Sequence, residues 1–299
     1  MSASKTQATN QPTSPLKYSE FRGANAPKLV EKTIGQYLND IANTYPEQLA
    51  VVVNHQNIRW NYRQYLAQID ALATGLLKLG IGPGDRVGIW SPNNIEWCLT
   101  QFATAKIGAI MVCINPAYRP EELQYALTNV GCRAVICADK FKSSNYLQML
   151  YELAPELKQC AAGQLQAKAL PELQFVIRMG AEKSLGMLNF DDLLIEVSED
   201  DKAMLARIAN ELTPYDAINI QFTSGTTGSP KGATLSHHNI LNNGYLVAEA
   251  MKFTCNDKLC IPVPLYHCFG MVLGNLVCLA KGAAAIFPGE SFDPLTTLQ

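Results

Sequence analysis

Ten consecutive residues, Thr223-Ser224-Gly225-Thr226-Thr227-Gly228-Ser229-Pro230-Lys231-Gly232, concentrate the groups that a polyphosphate needs. A phosphate chain is held by converging N–H donors, a positive charge and a backbone free of side-chain obstruction. Gly225, Gly228 and Gly232 allow close approach and unusual dihedral angles. Thr223, Ser224, Thr226, Thr227 and Ser229 add hydroxyls, and Lys231 adds a compact ammonium suited to charge-assisted bonds. The stretch is not a Walker A loop, because counting from Gly225 the second glycine position holds Pro230. It also lacks Gly-x-Gly-x-x-Gly, which disfavours a Rossmann dinucleotide site. A flexible Gly/Ser/Thr linker is the competing reading, but linkers rarely fall between a buried-type strand and a well-patterned helix. Residues 223–231 are the candidate nucleotide-binding segment.

A second cluster lies at Pro264-Leu265-Tyr266-His267-Cys268-Phe269-Gly270. His267 follows an apolar strand and precedes an apolar helix, which predicts a position at the mouth of a sheet. From the residues alone it could line a site or simply pack at a strand end. Cys268 cannot form a nucleophilic dyad with its neighbour, because adjacent residues in an extended segment point to opposite sides. His237 and His238 follow the cap Ser236 and read as braces. Glu121 and Glu122 open a helix, where acids complement the dipole. Trp90 and Trp97 read as core. The nine cysteines form no Cys-x-x-Cys, and with four histidines they offer no metal-ligand set. Scattered free cysteines suit a reducing compartment, cytoplasmic or alternatively the mitochondrial matrix.

The elements that position these residues alternate. Helical spacing covers 33–45, a hairpin 49–60, and a strong helix opens on Asn61 with Gln64 in a capping box. Strands at 86–90, 109–114 and 134–137 alternate with helices at 95–108 and 121–130, the signature of parallel α/β architecture. Residues 143–168 read as mostly helical, 175–177 as a strand and 180–188 as a loop; 189–216 receive no element. A second series then places a strand at 218–222, a loop and turn at 223–235 and a helix at 236–251. A strand at 259–263, a helix at 270–279 and a strand at 283–287 follow. Asp293-Pro294 starts a helix that the sequence leaves five residues later, so a truncated chain is expected.

The stretch Gln221 to Asn239 resembles the signature loop of the adenylate-forming superfamily: acyl-CoA synthetases, luciferases and peptide-synthetase adenylation domains. Pro264 to Gly270 resembles that family's next core motif, and Asn93 to Trp97, Gly108-Ala109 and Asn115-Pro116 resemble its amino-terminal subdomain. The likeness covers roughly residues 30–299 and is greatest to the medium-chain acyl-CoA ligase branch. It implies an α/β fold, the amino-terminal portion of the adenylate-forming enzyme fold, with mostly parallel sheets flanked by helices. It implies ATP, magnesium and CoA as reactants and a fatty acid as substrate. Lys231 and His267 become the catalytic candidates, the loop clamping phosphates and His267 lining the acyl site. The apolar helix at 270–277 would be a wall of the acyl tunnel or simply a buried helix. The family's Tyr-Gly-x-Thr-Glu motif, ribose-binding aspartate, hinge and carboxy-terminal lysine domain are not in these residues. The chain by itself is therefore expected to lack ligase activity; a non-catalytic nucleotide- or acyl-binding fragment, or action on another carboxylic acid, is the alternative.

Composition sets the outer bounds. Of 299 residues, 48% are hydrophobic and 17% charged, which suits a buried core rather than disorder. A net charge of −2 gives nucleic acid no basic footprint. The apolar windows near 107–114 and 271–287 carry Lys106 and Lys281 and are too short to span a bilayer. Residues 1–30 read as a disordered tail and 31–299 as the front part of an adenylation domain.

Overall fold

The first three helices each begin where a polar side chain takes up free N–H groups of the first turn. In the computed structural model, which describes residues 27–223 and 230–298, Thr33 and Gln36 form a reciprocal capping box ahead of α1 (Ile34–Thr44). Asn61 and Gln64 do the same for α2 (Tyr62–Lys78), and Asn94 caps α3 (Ile95–Ile107) through Trp97 N. Between α1 and α2 run β1 (Leu49–Val53) and β2 (Ile58–Asn61), paired antiparallel as a hairpin.

The chain then alternates as the pattern requires. The strands β3 (Arg86–Trp90), β4 (Ile110–Cys113) and β5 (Ala134–Cys137) are separated by α3 and α4 (Pro120–Asn129). A two-residue ribbon, β6 (Lys140–Phe141) with β7 (Ser144–Asn145), leads into α5 (Tyr146–Leu153). Next come β8 (Phe175–Arg178), β9 (Leu188–Asn189), α6 (Glu199–Glu211) and β10 (Ala217–Thr223). The remainder is β11 (Lys231–Ser236), α7 (His237–Ala250), β12 (Lys258–Cys260), a composite helix, β13 (Ala284–Phe287) and α10 (Pro294–Leu298). The composite helix consists of α8 (Cys268–Gly270), a π-helical stretch (Met271–Leu276) and α9 (Val277–Lys281).

Two sheets result. The larger has the order β11-β10-β4-β3-β5-β8-β9, parallel throughout except for the β10–β11 pair. The smaller has the order β12-β13-β1-β2 and is parallel apart from the hairpin. The inner strands β5 and β8 are buried along their whole length, which is why they read as unbroken apolar runs. Helix α3 is buried on nearly every residue, including Trp97, while Trp90 lies fully buried in β3.

Four sequence readings change. Residues 231–236 form a strand rather than a loop; its first four residues are exposed, so no inward–outward alternation marks it. Residues 143–168 contain one helix and a short 3-10 turn at Pro155–Lys158, not mostly helix. Helix α6 escapes periodicity because only Leu205 and Ile208 of its thirteen residues are buried, although Ser198 and Asp201 form a capping box. The tail read as 1–30 ends earlier, since Val30 N donates to Asn242 Oδ1 at 2.7 Å and Asn242 Nδ2 to Val30 O at 3.0 Å. Residues 1–26 lie outside the described residues.

His237 completes this docking of the amino-terminal segment on α7. Its Nδ1 accepts from Ile34 N at 3.1 Å, and the ring is fully buried. Burial lowers its pKa from 6.5 to about 4. The folded state therefore binds this proton only at about pH 4, whereas the unfolded chain binds it near 6.5. Stability from the neutral ring is complete above the unfolded pKa, falls as pH drops from about 6.5 to about 4, and falls no further below that. We expect an acid-limb loss on the order of 1–3 kcal/mol assignable to this residue. Denaturant melts at pH 7 and pH 5 check it: His237→Asn should flatten that limb, and an unchanged slope would contradict the assignment.

Candidate functional site

The carboxyl ends of β4 and β10 lie side by side because the strands pair in parallel, with Gln221 opposite Cys113. In open α/β sheets that edge is where ligands sit. A cleft of about 480 Å³ opens there. Its floor is Cys113, Asn115 and Gln221, and one wall is Tyr118, just before α4, with Glu122 from the first turn of α4. Thr223 and Pro230 border it where β10 ends and β11 begins, and Tyr266, His267 and Cys268 face them.

Thus Thr223, Pro230 and His267 come together around one cavity. Lys231 stands next to Pro230, exposed, and pairs across the hairpin with Thr223. Thr223 Oγ1 donates to Lys231 O at 3.4 Å. Ser224, Gly225, Thr226, Thr227, Gly228 and Ser229 lie outside the described residues. The sequence placed this segment between a strand and a helix; it instead joins two antiparallel strands, with the helix following the second.

The His267 motif is shaped by a close return of the backbone. A Cβ on Gly270 would stand 2.4 Å from Pro264 O, so only glycine fits there. Asn93 fixes the same segment from the other side. Its Nδ2 donates to Val263 O at 2.9 Å, and its Oδ1 accepts from Leu265 N at 2.8 Å. His267 then caps the composite helix, its Nδ1 accepting from Phe269 N at 3.2 Å. In the neutral ring this bond places the proton on Nε2, which leaves a donor free for the cleft. Burial raises the Cys268 pKa above the usual thiol value, which does not favour a thiolate nucleophile.

Behind the floor lies a buried polar chain. Met271 Sδ is 3.7 Å from Gln221 Nε2 and 3.9 Å from Cys113 Sγ. Asn275 Nδ2 donates to Gln101 Oε1 at 2.7 Å, and Gln101 Nε2 reaches Met271 O at 3.5 Å. These contacts sit along the π-helical stretch, a distortion often found beside functional sites. The helix read as 270–279 is therefore buried, with Met271 as the residue nearest the cleft. The Asn115 wall is fixed by Trp90 Nε1, which donates to Asn115 O at 3.2 Å, and by Tyr146 OH, which donates to Pro116 O at 2.6 Å. Those two rings stack 3.6 Å apart.

Sequence reasoning missed Tyr118, Glu122 and Gln221. Glu122 does cap α4, its carboxylate accepting from Arg119 N at 2.9 Å, yet it also faces the cleft. His238 stacks on Tyr215, the brace the sequence suggested. A larger groove, about 630 Å³, lies between α1, α2 and residues 194–197, but neither motif reaches it.

The chain as a whole has counterparts among known proteins. The profile of the AMP-binding enzyme family matches residues 38–299. The chain belongs to the AMP-binding enzyme family. It is 41% identical over 286 residues to the mitochondrial medium-chain acyl-CoA ligase ACSF2 of Mus musculus, covering 94% of this chain and 46% of that protein. The ACSF2 protein of Danio rerio is also 41% identical, over 293 residues, covering 97% and 48%. A long-chain-fatty-acid-CoA ligase of Archaeoglobus fulgidus superposes with a TM-score of 0.69 at 20% identity, covering 95% of this chain and 52% of that one. The fold is therefore that of the adenylate-forming enzymes' amino-terminal portion. The chain spans about half the length of the curated relatives it matches.

Gly270, at the end of the His267 motif, and Gly274, in the π-helical stretch after it, give a graded test. Gly270→Ala drives a methyl into a backbone oxygen, whereas Gly274→Ala meets the Ile261 side chain at 3.0 Å. Gly270→Ala is expected to cost about 2 kcal/mol or more and Gly274→Ala clearly less, by urea denaturation. Equal losses would contradict the backbone account of this motif.

Proposed function

We propose that this chain supplies the ATP- and acyl-binding half of an AMP-forming fatty acid–CoA ligase. The observation that carries the reading is one cleft bordered by Thr223 and Pro230 on one side and by Tyr266 and His267 on the other. Family membership and relatives named as medium-chain acyl-CoA ligases support a fatty carboxylate of medium length as the acid.

A carboxylate resists a thiol because its carbon is shielded by negative charge and lacks a leaving group. Joining it to AMP removes both obstacles. The carboxylate oxygen attacks the α-phosphorus of ATP, the α–β phosphoanhydride bond breaks, and pyrophosphate leaves. The sulfur of CoA then attacks the acyl carbon, its S–H proton passing to solvent, and AMP departs with the electron pair of the acyl–oxygen bond. Residues 223–231 hold the β- and γ-phosphates as charge builds on the leaving pyrophosphate, with Lys231 as the cation. Each charge-assisted bond there contributes roughly 1.5–3 kcal/mol. His267 offers its Nε2–H to the carboxylate or to the adenylate it becomes; no general base is required, because the fatty acid is already ionised at neutral pH.

Magnesium would enter with the triphosphate and screen its charge. Among the described residues no group of three acids, histidines or cysteines is placed to hold a metal, so no ligand is assigned and no step above passes through it. No helix among the described residues is long and apolar enough to cross a membrane, and all nine cysteines are free thiols. A reducing compartment fits, cytoplasmic or the mitochondrial matrix, and the word mitochondrial in the relatives' names supports the second.

In a protein extended to its relatives' length, Lys231→Ala is expected to slow acid-dependent ATP–pyrophosphate exchange by about tenfold or more. Exchange at the wild-type rate would sink the assignment of Lys231.

A further inference from the structure

Helix α4 and its C-cap Val130 touch the chain around the start of β11 at two independent points. Tyr125 OH donates to Pro230 O at 3.0 Å, across 105 residues of sequence. One turn further along, Val130 closes on Gly232: a Cβ there would stand 3.6 Å from Val130 Cγ1 and 3.1 Å from Ile220 Cγ2. The two contacts bracket Lys231, the residue between them. Lys231 itself is exposed, so its own packing does little to fix it. The backbone on either side of it is fixed by α4.

Glu122 of the same helix and Tyr118 just before it face the cleft, and burial, followed by the nearby Glu122, Tyr266 and Tyr125, raises the Tyr118 pKa. Tyr125 is thus the member of this row that reaches past the cleft to the strand carrying the lysine. A hydrogen bond from a tyrosine to the carbonyl preceding a functional residue limits how that peptide can rotate, and so where the next side chain begins.

We propose that Tyr125 is a positioning residue that presets Lys231 for the terminal phosphates of ATP, an inference that rests on the reading of Lys231 as a phosphate ligand. The bond fixes the Pro230–Lys231 peptide before nucleotide arrives, so less ordering is required on binding. It should therefore act on ligands that reach Lys231 and not on those that stop at the α-phosphate.

The test is equilibrium binding by calorimetry of MgATP, magnesium pyrophosphate and AMP to the chain and to three variants: Tyr125→Phe, Lys231→Ala and the double variant. Tyr125→Phe, which keeps the ring, is expected to weaken MgATP and pyrophosphate about three- to tenfold, the loss of one hydrogen bond's effect. AMP affinity and the melting temperature should stay at wild-type values, and the double variant should bind no more weakly than Lys231→Ala alone. Wild-type affinity in Tyr125→Phe, an equal loss for AMP, or additive losses in the double variant would each overturn the positioning role while leaving the phosphate loop intact. Absence of MgATP and pyrophosphate binding by the wild-type chain would instead remove the Lys231 reading, and this inference with it.

Discussion

The site depends on the two-sided pairing of β10. On one edge it runs parallel to β4 with Gln221 opposite Cys113; on the other it runs antiparallel to β11 with Thr223 opposite Lys231. The first pairing sets where the strand ends relative to the sheet, and so where the cleft floor lies. The second brings Lys231 back beside Thr223. A register shift of one residue on either side would move Gln221 and Thr223 to the opposite face. Gln221 and Thr223 take their positions at the cleft from this strand.

Around that strand the other walls are held by single, well-aimed contacts rather than by broad packing. Asn93 ties the segment before His267 through two backbone bonds, and Trp90 with Tyr146 fixes the carbonyls of Asn115 and Pro116. The composite helix departs from α geometry where Met271 meets Gln221 and Cys113, with Gln101 and Asn275 satisfying polar groups behind it. A buried amide left without its partner would cost about 1–3 kcal/mol, so this chain of residues stands or falls together.

Much of this was legible in the residues. The helical spacing over 33–45, the capping pair Asn61–Gln64 and the buried runs of β3 and β5 all act locally, so local spacing reveals them. Strand β11 was not legible, because its exposed edge position removes the alternation that marks a strand, and Gly232 argues against one. Helix α6 buries only Leu205 and Ile208, leaving too narrow a stripe for periodicity to register. Glu122 read only as a helix-start acid because its second role needs the cleft to exist. Tyr125 gave no signal, since its partner at Pro230 is distant in sequence. Residues 1–26 and 224–229, the tail and the centre of the phosphate loop, remain sequence readings alone.

The central claim is that the loop and the His267 motif serve one adenylate. Amide hydrogen exchange of the chain with and without a non-hydrolysable medium-chain acyl-adenylate analogue addresses it directly. Protection is expected together at 221–223, 230–236 and 264–270, with none added at residues 194–197 of the α1–α2 groove. Protection at only one of the two motifs, or in that groove, would show that they do not share a site.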